Sequence, residues 1–304
     1  MREPKYGIGI DIGGTKIAAG LVDLTTGAIQ STKIIPTGRE RHSSEIIKDL
    51  QEMVTEQTTI ALTKGWQIEH CGIAFPELVN NEGEVVSDWN FNLCSLRTDV
   101  FPLKHVVFDS DVRAAGLAEA KFGAGKTYQS FVYVSLGTGL SYSLYNQGTP
   151  WRGANGYAIH FASSLLSGHC HHCGEQASFI AEEQVSGNGI ESTWLKVHSK
   201  PYQGGVPALL RAAETRDGDE RECVALAAES LGGLIAQMVN MLDPDAVVIG
   251  GGLGLAGGIY HELTVKAIRE RIWAEECKSI PIKHAQFGTS AGVIGAALSS
   301  MENS

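Results

Sequence analysis

The chain has 304 residues, 43% hydrophobic and 19% charged, enough to bury a real core and to form two domains of ordinary size. Lys plus Arg number 24 against 34 Asp plus Glu, a formal charge of -10. That balance argues against a broad nucleic-acid surface, because neutralising phosphates needs clustered cations. The chain runs straight into a strand-like pattern with no signal peptide, and no uninterrupted apolar run is long enough to span a membrane. Of the cysteines Cys71, Cys94, Cys170, Cys173, Cys223 and Cys277, only Cys170 and Cys173 form a close pair. The expectation is a reducing, cytoplasmic setting without disulfides.

Residues 6–23 read as strand, Gly turn and strand, that is, a hairpin. Residues 43–64 carry Ile46, Ile47, Leu50, Met53 and Val54 at helical spacing and predict a helix. Short apolar strands follow at 71–75 and 105–108, the second ending in Asp109-Ser110-Asp111. Residues 114–122 predict a helix, stopped by Gly123-Ala124-Gly125. Residues 131–145 repeat the opening style of strand, Gly turn and strand, which suggests an internal duplication. The stretch 150–187 reads as irregular; a long helix is expected over 223–242, a buried strand over 246–249 and a helix over 291–301.

Three Gly turns each follow an apolar strand: Gly13-Gly14-Thr15, Gly137-Thr138-Gly139 and Gly250-Gly251-Gly252. Gly lets backbone N–H groups converge on phosphate oxygens without a clashing Cβ, and Thr15, Thr138 and Lys16 add donors and charge. Singly, each is a tight hairpin; three together at strand ends point to a nucleotide. Asp11 precedes the first turn, and Asp111 sits where a strand hands over to a helix. Ligands of open α/β sheets gather at the carboxyl ends of strands, so both carboxylates are candidates for one site. A helix N-terminus favours an ionised carboxylate, which can accept a proton from a hydroxyl. For Asp109 the preferred reading is a helix cap or a solvated strand end; for Asp111 the cap and base readings stand level.

Asp11-Ile-Gly-Gly-Thr-Lys16, Leu136-Gly-Thr-Gly139, Arg152-Gly-Ala-Asn-Gly156, Ser186-Gly187 and Ile249-Gly-Gly-Gly252 follow the order and spacing of the ROK family of sugar kinases, which the chain resembles over nearly its whole length. The resemblance implies an α/β fold of the two-lobed, actin-like ATPase (ribonuclease H-like) type, with the ligand cleft between lobes. It implies ATP and Mg²⁺ as cofactors and phosphorylation of a hydroxyl on a hexose, amino sugar or cyclitol. Asp111 falls on the family's catalytic base. Gly13, Gly14, Thr15, Lys16, Gly137, Thr138 and Gly139 would hold phosphates, Asp11 the Mg²⁺, and Gly250, Gly251 and Gly252 the adenosine. The expected lobes are 1–113 plus 289–304 and 114–288.

Departures from the family pattern bear on the substrate. Ser110 replaces a sugar-binding Asn, Arg113 replaces a small polar Asn, and Glu77 stands after Pro76 where the family has Gly. The Gly-Glu-x-Gly-His element is missing. Aligned without a gap, His160 takes the place of the sugar-binding Glu and Ser163 that of a zinc-binding His; with a short deletion, His160 is the zinc-type His. Arg113 points either into the pocket or to solvent. The family's zinc loop is altered to His169-Cys170-His171-His172-Cys173-Gly174, with Ser178 in place of the last Cys. A Cys-x-x-Cys spacing suits tetrahedral Zn²⁺, so Cys170, Cys173, His160 and a loop His form a candidate structural zinc set, against a degenerate loop with no metal. Before Ser186, Glu182 resembles the family's sugar-binding Glu, with Glu183 as rival. Asn90, Ser110, His160 and Glu182 make up the candidate substrate-binding set. A sugar-like small molecule and a second copy of the chain are the expected partners, with neither nucleic acid nor membrane. Two rival functions are a repressor, for which no DNA-binding segment is apparent, and a catalytically impaired sugar sensor.

Overall fold

The computed structural model describes residues 5–38, 41–94, 96–169 and 176–302. The chain forms two compact units. Unit 1 comprises Met1–Thr127, Tyr145–Ala158 and Thr289–Ser304, and unit 2 comprises Tyr128–Leu144 and Ile159–Gly288.

The elements in chain order begin with β1 (Tyr6–Ile12), β2 (Lys16–Asp23), β3 (Ile29–Pro36), α1 (Ser43–Thr63), β4 (His70–Phe75), β5 (His105–Ser110) and α2 (Asp111–Lys121). The chain continues through β6 (Ser130–Leu136), β7 (Leu140–Asn146), β8 (Thr149–Pro150), β9 (Leu165–His169), β10 (Gln176–Ile180), α3 (Glu182–Val185), α4 (Gly187–His198), α5 (Gly205–Thr215) and α6 (Asp219–Leu242). It ends with β11 (Ala246–Gly250), α7 (Gly258–Arg271), β12 (Ile282–His284) and α8 (Ala291–Glu302).

The first sheet runs β3-β2-β1-β4-β5, antiparallel among its first three strands and parallel from β1 to β5. A second five-stranded sheet runs β8-β7-β6-β11-β12, with β6, β11 and β12 parallel. The same strand order in both is the duplication expected from the repeated Gly-turn hairpins. A Gly-turn hairpin followed by a parallel crossover gives that order wherever it occurs. The stretch 150–187, read as irregular, instead holds the hairpin of β9 and β10 and the short α3.

Each unit has its own core. In unit 1 Ile8, Ile10 and Ile12 of β1 pack with Ile46, Leu50 and Val54, the apolar stripe of α1. The other face of this sheet meets α8 at very close range. A Cβ on Gly9 would overlap the Val293 carbonyl, and one on Gly72 would overlap that of Ala296. A Cβ on Gly295 would overlap the Ala114 carbonyl, so the same helix lies hard against α2. These glycines are therefore packing devices. They also explain why α2 belongs to unit 1, which extends to Thr127 and takes back Tyr145–Ala158, rather than stopping at 113 as the sequence reading has it. In unit 2 Val132, Val134 and Ile249 pack with Leu231, Ile235 and Ile268 of α6 and α7. Helix α6 is long and apolar enough to cross a membrane, but most of its apolar residues, Leu231, Ile235 and Val239 among them, form this core.

Candidate active site

Three parallel strands of unit 1 end along one edge. Asp11 of β1 is in register with Ala74 of β4, and Ala74 with Asp109 of β5. One step further, Phe75 pairs Ser110, so Glu77 and Asp111 both lie just past the ends of neighbouring parallel strands. Register alone thus gathers Asp11, Glu77, Asp109 and Asp111 at the sheet edge where α/β proteins bind ligands.

Asp111 is the first residue of α2, and its Oδ1 accepts the Val112 N–H at 2.7 Å. Burial, and then the charge of Asp11, push its carboxyl up from 3.8 to about 7. A helix N-terminus favours the ionised form expected from the sequence, but burial outweighs that effect here. Asp11 is likewise pushed up to about 6 by burial, with Lys16 pulling the other way. Helix α8 crowds it, since a Cβ on Gly292 would overlap the Asp11 carboxylate. Asp11 and Asp111, each half-buried at the strand ends, are a carboxylate pair that a hard divalent cation fits.

The structure corrects readings of three residues beside Asp111. Asp109 is neither a cap nor solvated: it is buried, its Oδ1 accepts from Arg113 Nε at 2.6 Å, and its Oδ2 from Arg152 at 3.0 Å. Arg113 points neither into a pocket nor to solvent. It is fully buried, donating to the Gly156 carbonyl at 2.6 Å and the Val79 carbonyl at 3.0 Å. The cap is Ser110, whose Oγ accepts the Arg113 N–H at 3.4 Å and which is 0% exposed. Its Oγ thus caps the start of α2.

Glu77 is 3% exposed, and its carboxylate meets four donors. Oε1 accepts the N–H groups of Asn90 at 2.5 Å and Phe91 at 3.0 Å. Oε2 accepts the Trp89 N–H at 3.1 Å and the Ser87 hydroxyl. Asn90 itself is exposed and donates its amide to the Pro76 carbonyl at 2.7 Å. Neither this clamp nor the Asp109 network was visible in the sequence. Their only signal was the presence of Glu77 and Arg113 where the family carries Gly and Asn.

The Gly turns are closed by their own first amides. Gly13 donates to the Lys16 carbonyl and Gly137 to the Gly139 carbonyl, both at 2.9 Å. Those two N–H groups are therefore spent within the hairpins. Among the described residues, no hydrogen bond is made by the N–H groups of Thr15, Thr138 and Gly139. In unit 2 the second and third turns meet: an ideal Cβ on Gly137 would lie 3.9 Å from the Gly252 nitrogen, and Leu253 and Gly254 donate to the Leu136 carbonyl. Gly251 has φ +80, and a Cβ there would strike the Leu136 backbone, so glycine is required on both counts.

Glu182 braces the second turn. Its Oε2 accepts the Leu140 N–H at 2.7 Å, and Gly187 donates to the Gly137 carbonyl at 2.9 Å. Its rival Glu183 is exposed. His160 lies in unit 2, just before the 3-10 turn Phe161–Ser163. Of the candidate zinc set, Cys170, His171, His172 and Cys173 lie outside the described residues, and among the described residues no group of three His, Cys, Asp or Glu could hold a metal. Ser178 pairs its hydroxyl with Ser167 at 2.9 Å across the β9–β10 hairpin.

A two-lobed α/β fold with duplicated sheets, Gly turns and buried carboxylates at a parallel strand edge defines the class of actin-like ATPases. A family model described as the ROK family matches residues 7–302, and the chain belongs to that family. A glucokinase of Streptomyces coelicolor is 29% identical over 318 residues, covering 95% of this chain and 96% of its own length. An N-acetyl-D-glucosamine kinase of Yersinia pseudotuberculosis is 30% identical over 306 residues, covering 95% and 97%. The crystal structure of a ROK family glucokinase from Streptomyces griseus in complex with glucose and AMPPNP superposes with a TM-score of 0.78 at 25% identity, covering 98% of this chain and 99% of that one.

Proposed function

We propose that this protein transfers the γ-phosphoryl group of ATP to a hydroxyl of a sugar or sugar-like ring, with Asp111 as general base. The observation that carries the reading is the placement of Asp111: it opens α2 beside Asp11, with a carboxyl pushed up to about 7, near the pH at which such a base must work. Val112 fixes the rotamer by holding one oxygen. The other oxygen takes the hydroxyl proton as the substrate oxygen attacks the γ-phosphorus, and the bond to ADP breaks. Mg²⁺, when bound with the nucleotide, offsets phosphate charge, and Asp11 is the residue that would hold it. Thr15, Thr138 and Gly139 offer N–H groups for phosphate oxygens, and the Gly250 turn would line the adenosine. Asn90, the second oxygen of Glu182 and, in the alignment without a gap, His160 are the side chains assigned to the substrate. The chain's relatives that phosphorylate glucose and N-acetylglucosamine support the substrate class.

The engaged Ser110 hydroxyl and the missing Glu element reduce the acceptors facing a plain hexose. A site built to pair a hydroxyl discriminates strongly when its partner is absent. Glucose is therefore expected to be a poorer substrate than an amino sugar or cyclitol. The experiment is ADP release across hexoses, N-acetylhexosamines, amino sugars and cyclitols. No acceptor-dependent ADP release with any of them would defeat the kinase reading. A glucose kcat/KM roughly tenfold above the rest, ~1.4 kcal/mol in transition-state binding, would defeat the specificity reading alone.

A further inference from the structure

We infer that Glu77 is a positioning residue: its buried carboxylate fixes the backbone of residues 87–91 as one wall of the substrate site, resting on the kinase reading above. A carboxylate has about four lone-pair sites. Here all four are filled, by the N–H groups of Trp89, Asn90 and Phe91 and by the Ser87 hydroxyl. Glu77 therefore has no acceptor left for a substrate hydroxyl, and it does not itself touch the ligand. Its partners lie 10 to 14 residues on in sequence, past the isolated Val79–Val85 bridge, so the carboxylate closes the far part of the loop.

The loop is built around this anion. Of the four donors, the Ser87 hydroxyl and the Phe91 amide meet Glu77 in buried bonds, where leaving them unpaired would be costly. Two further bonds tie the same loop down: Ser87 Oγ accepts the Leu78 N–H at 2.8 Å, and Asn90 donates to the Pro76 carbonyl at 2.7 Å. With its amide nitrogen held this way, Asn90 directs its carbonyl oxygen as an acceptor. Its sequence neighbour Trp89 is 68% exposed. A polar acceptor suits the hydroxylated edge of a pyranose or cyclitol. The loop stands past the end of β4, next to the strand that delivers Asp111. Glycine, which the family carries after this proline, offers none of these acceptors. This chain thus orders its loop by a charge that the family pattern lacks.

The test is Glu77→Gln, which keeps the shape but turns one acceptor oxygen into a donor facing N–H groups. Two readouts are taken on the whole protein. Amide hydrogen exchange of the peptide covering 87–91 is expected to speed at least tenfold while the β1 and α6 peptides hold. At saturating ATP, the KM of the best acceptor from the glucose, N-acetylglucosamine and cyclitol panel is expected to rise at least tenfold, with kcat within about threefold and the KM for ATP unmoved. Glu77→Asp, one methylene too short to reach all four donors, is expected to fall between the two. Unchanged exchange overturns the inference, as does faster exchange with an unchanged acceptor KM, which would make the clamp purely structural. A wild type that turns over no acceptor fells the kinase reading and the substrate part of this inference with it. A wild type that is active while Glu77→Gln leaves the acceptor KM unmoved fells this inference alone.

Discussion

Asp111→Asn separates catalysis from stability. The change keeps the size of the side chain and an oxygen to accept the Val112 N–H, but removes the charge. The Asp111 carboxyl is raised from 3.8 to about 7 in the folded protein, by burial first and the Asp11 charge second. A carboxyl raised in this way holds more protons when folded than when unfolded at every pH between those two values. Stability is therefore lost progressively as pH rises from about 3.8, and the loss is complete above about 7. That gap corresponds to about 4 kcal/mol as an upper bound. An amide is still a polar group in a buried place, so a net gain of about 1–3 kcal/mol at pH 8 is expected for the variant. For domains of this size that is a rise in Tm of roughly 2–8 °C. The electrostatic part falls by more than half at pH 5 while the cost of the buried amide stays, so the net gain should largely vanish there. Turnover should fall by ~10²–10⁴-fold with nucleotide binding retained. Thermal melts at pH 5 and 8, with and without ADP, and a coupled ADP assay measure all of this. Wild-type turnover in the variant removes Asp111 from the mechanism. A variant no more stable than wild type at pH 8 refutes the electrostatic reasoning even if activity is lost.

Gly292→Ala places a methyl against the Asp11 carboxylate, and a displacement of about 1 Å there should cut kcat/KM for ATP by ~10–10²-fold with far-ultraviolet circular dichroism unchanged. Activity within twofold of wild type would show that Asp11 tolerates displacement. Gln57 is fully buried on α1, and neither of its side-chain polar atoms meets a partner among the described residues, so Gln57→Met should stabilise by about 1–3 kcal/mol in urea titration. A loss of similar size would reveal an essential polar contact at that position. One Zn²⁺ per chain, held by Cys170, Cys173, His160 and a loop His, is expected in protein purified without chelator; elemental analysis giving a metal content near zero would discard the zinc set.

What could be read from the sequence was whatever is local. The two Gly-turn hairpins, α1 and α6 follow from periodicity and punctuation within a few residues, and their repetition carried the duplicated topology. Asp111 was legible because a strand-to-helix handover fixes where a side chain emerges. What escaped was set by partners distant in sequence. Arg113 is buried because its guanidinium finds the carbonyls of Val79 and Gly156, which lie 34 and 43 residues away, and composition assigns an arginine to solvent by default. Ser110 read as a substrate contact because nothing local says whether a hydroxyl caps a helix or faces a ligand. The return of Tyr145–Ala158 to unit 1 is a matter of chain path, for which no residue type is a marker.

The two family departures that were noted but not understood share one physical form. Glu77 and Arg113 each bring a charge into the interior beside the base, and each is answered there by several backbone groups, three amides in one case and two carbonyls in the other. A buried charge that is fully hydrogen-bonded is tolerated, whereas removing one side of such a set strands the other. Reverting Arg113 alone to Asn would leave Asp109 with less positive charge beside it and would free the Val79 and Gly156 carbonyls. Reverting Glu77 alone to Gly would strand three amides. Neither change would restore the family's site, because the backbone around each charge has been shaped to answer it.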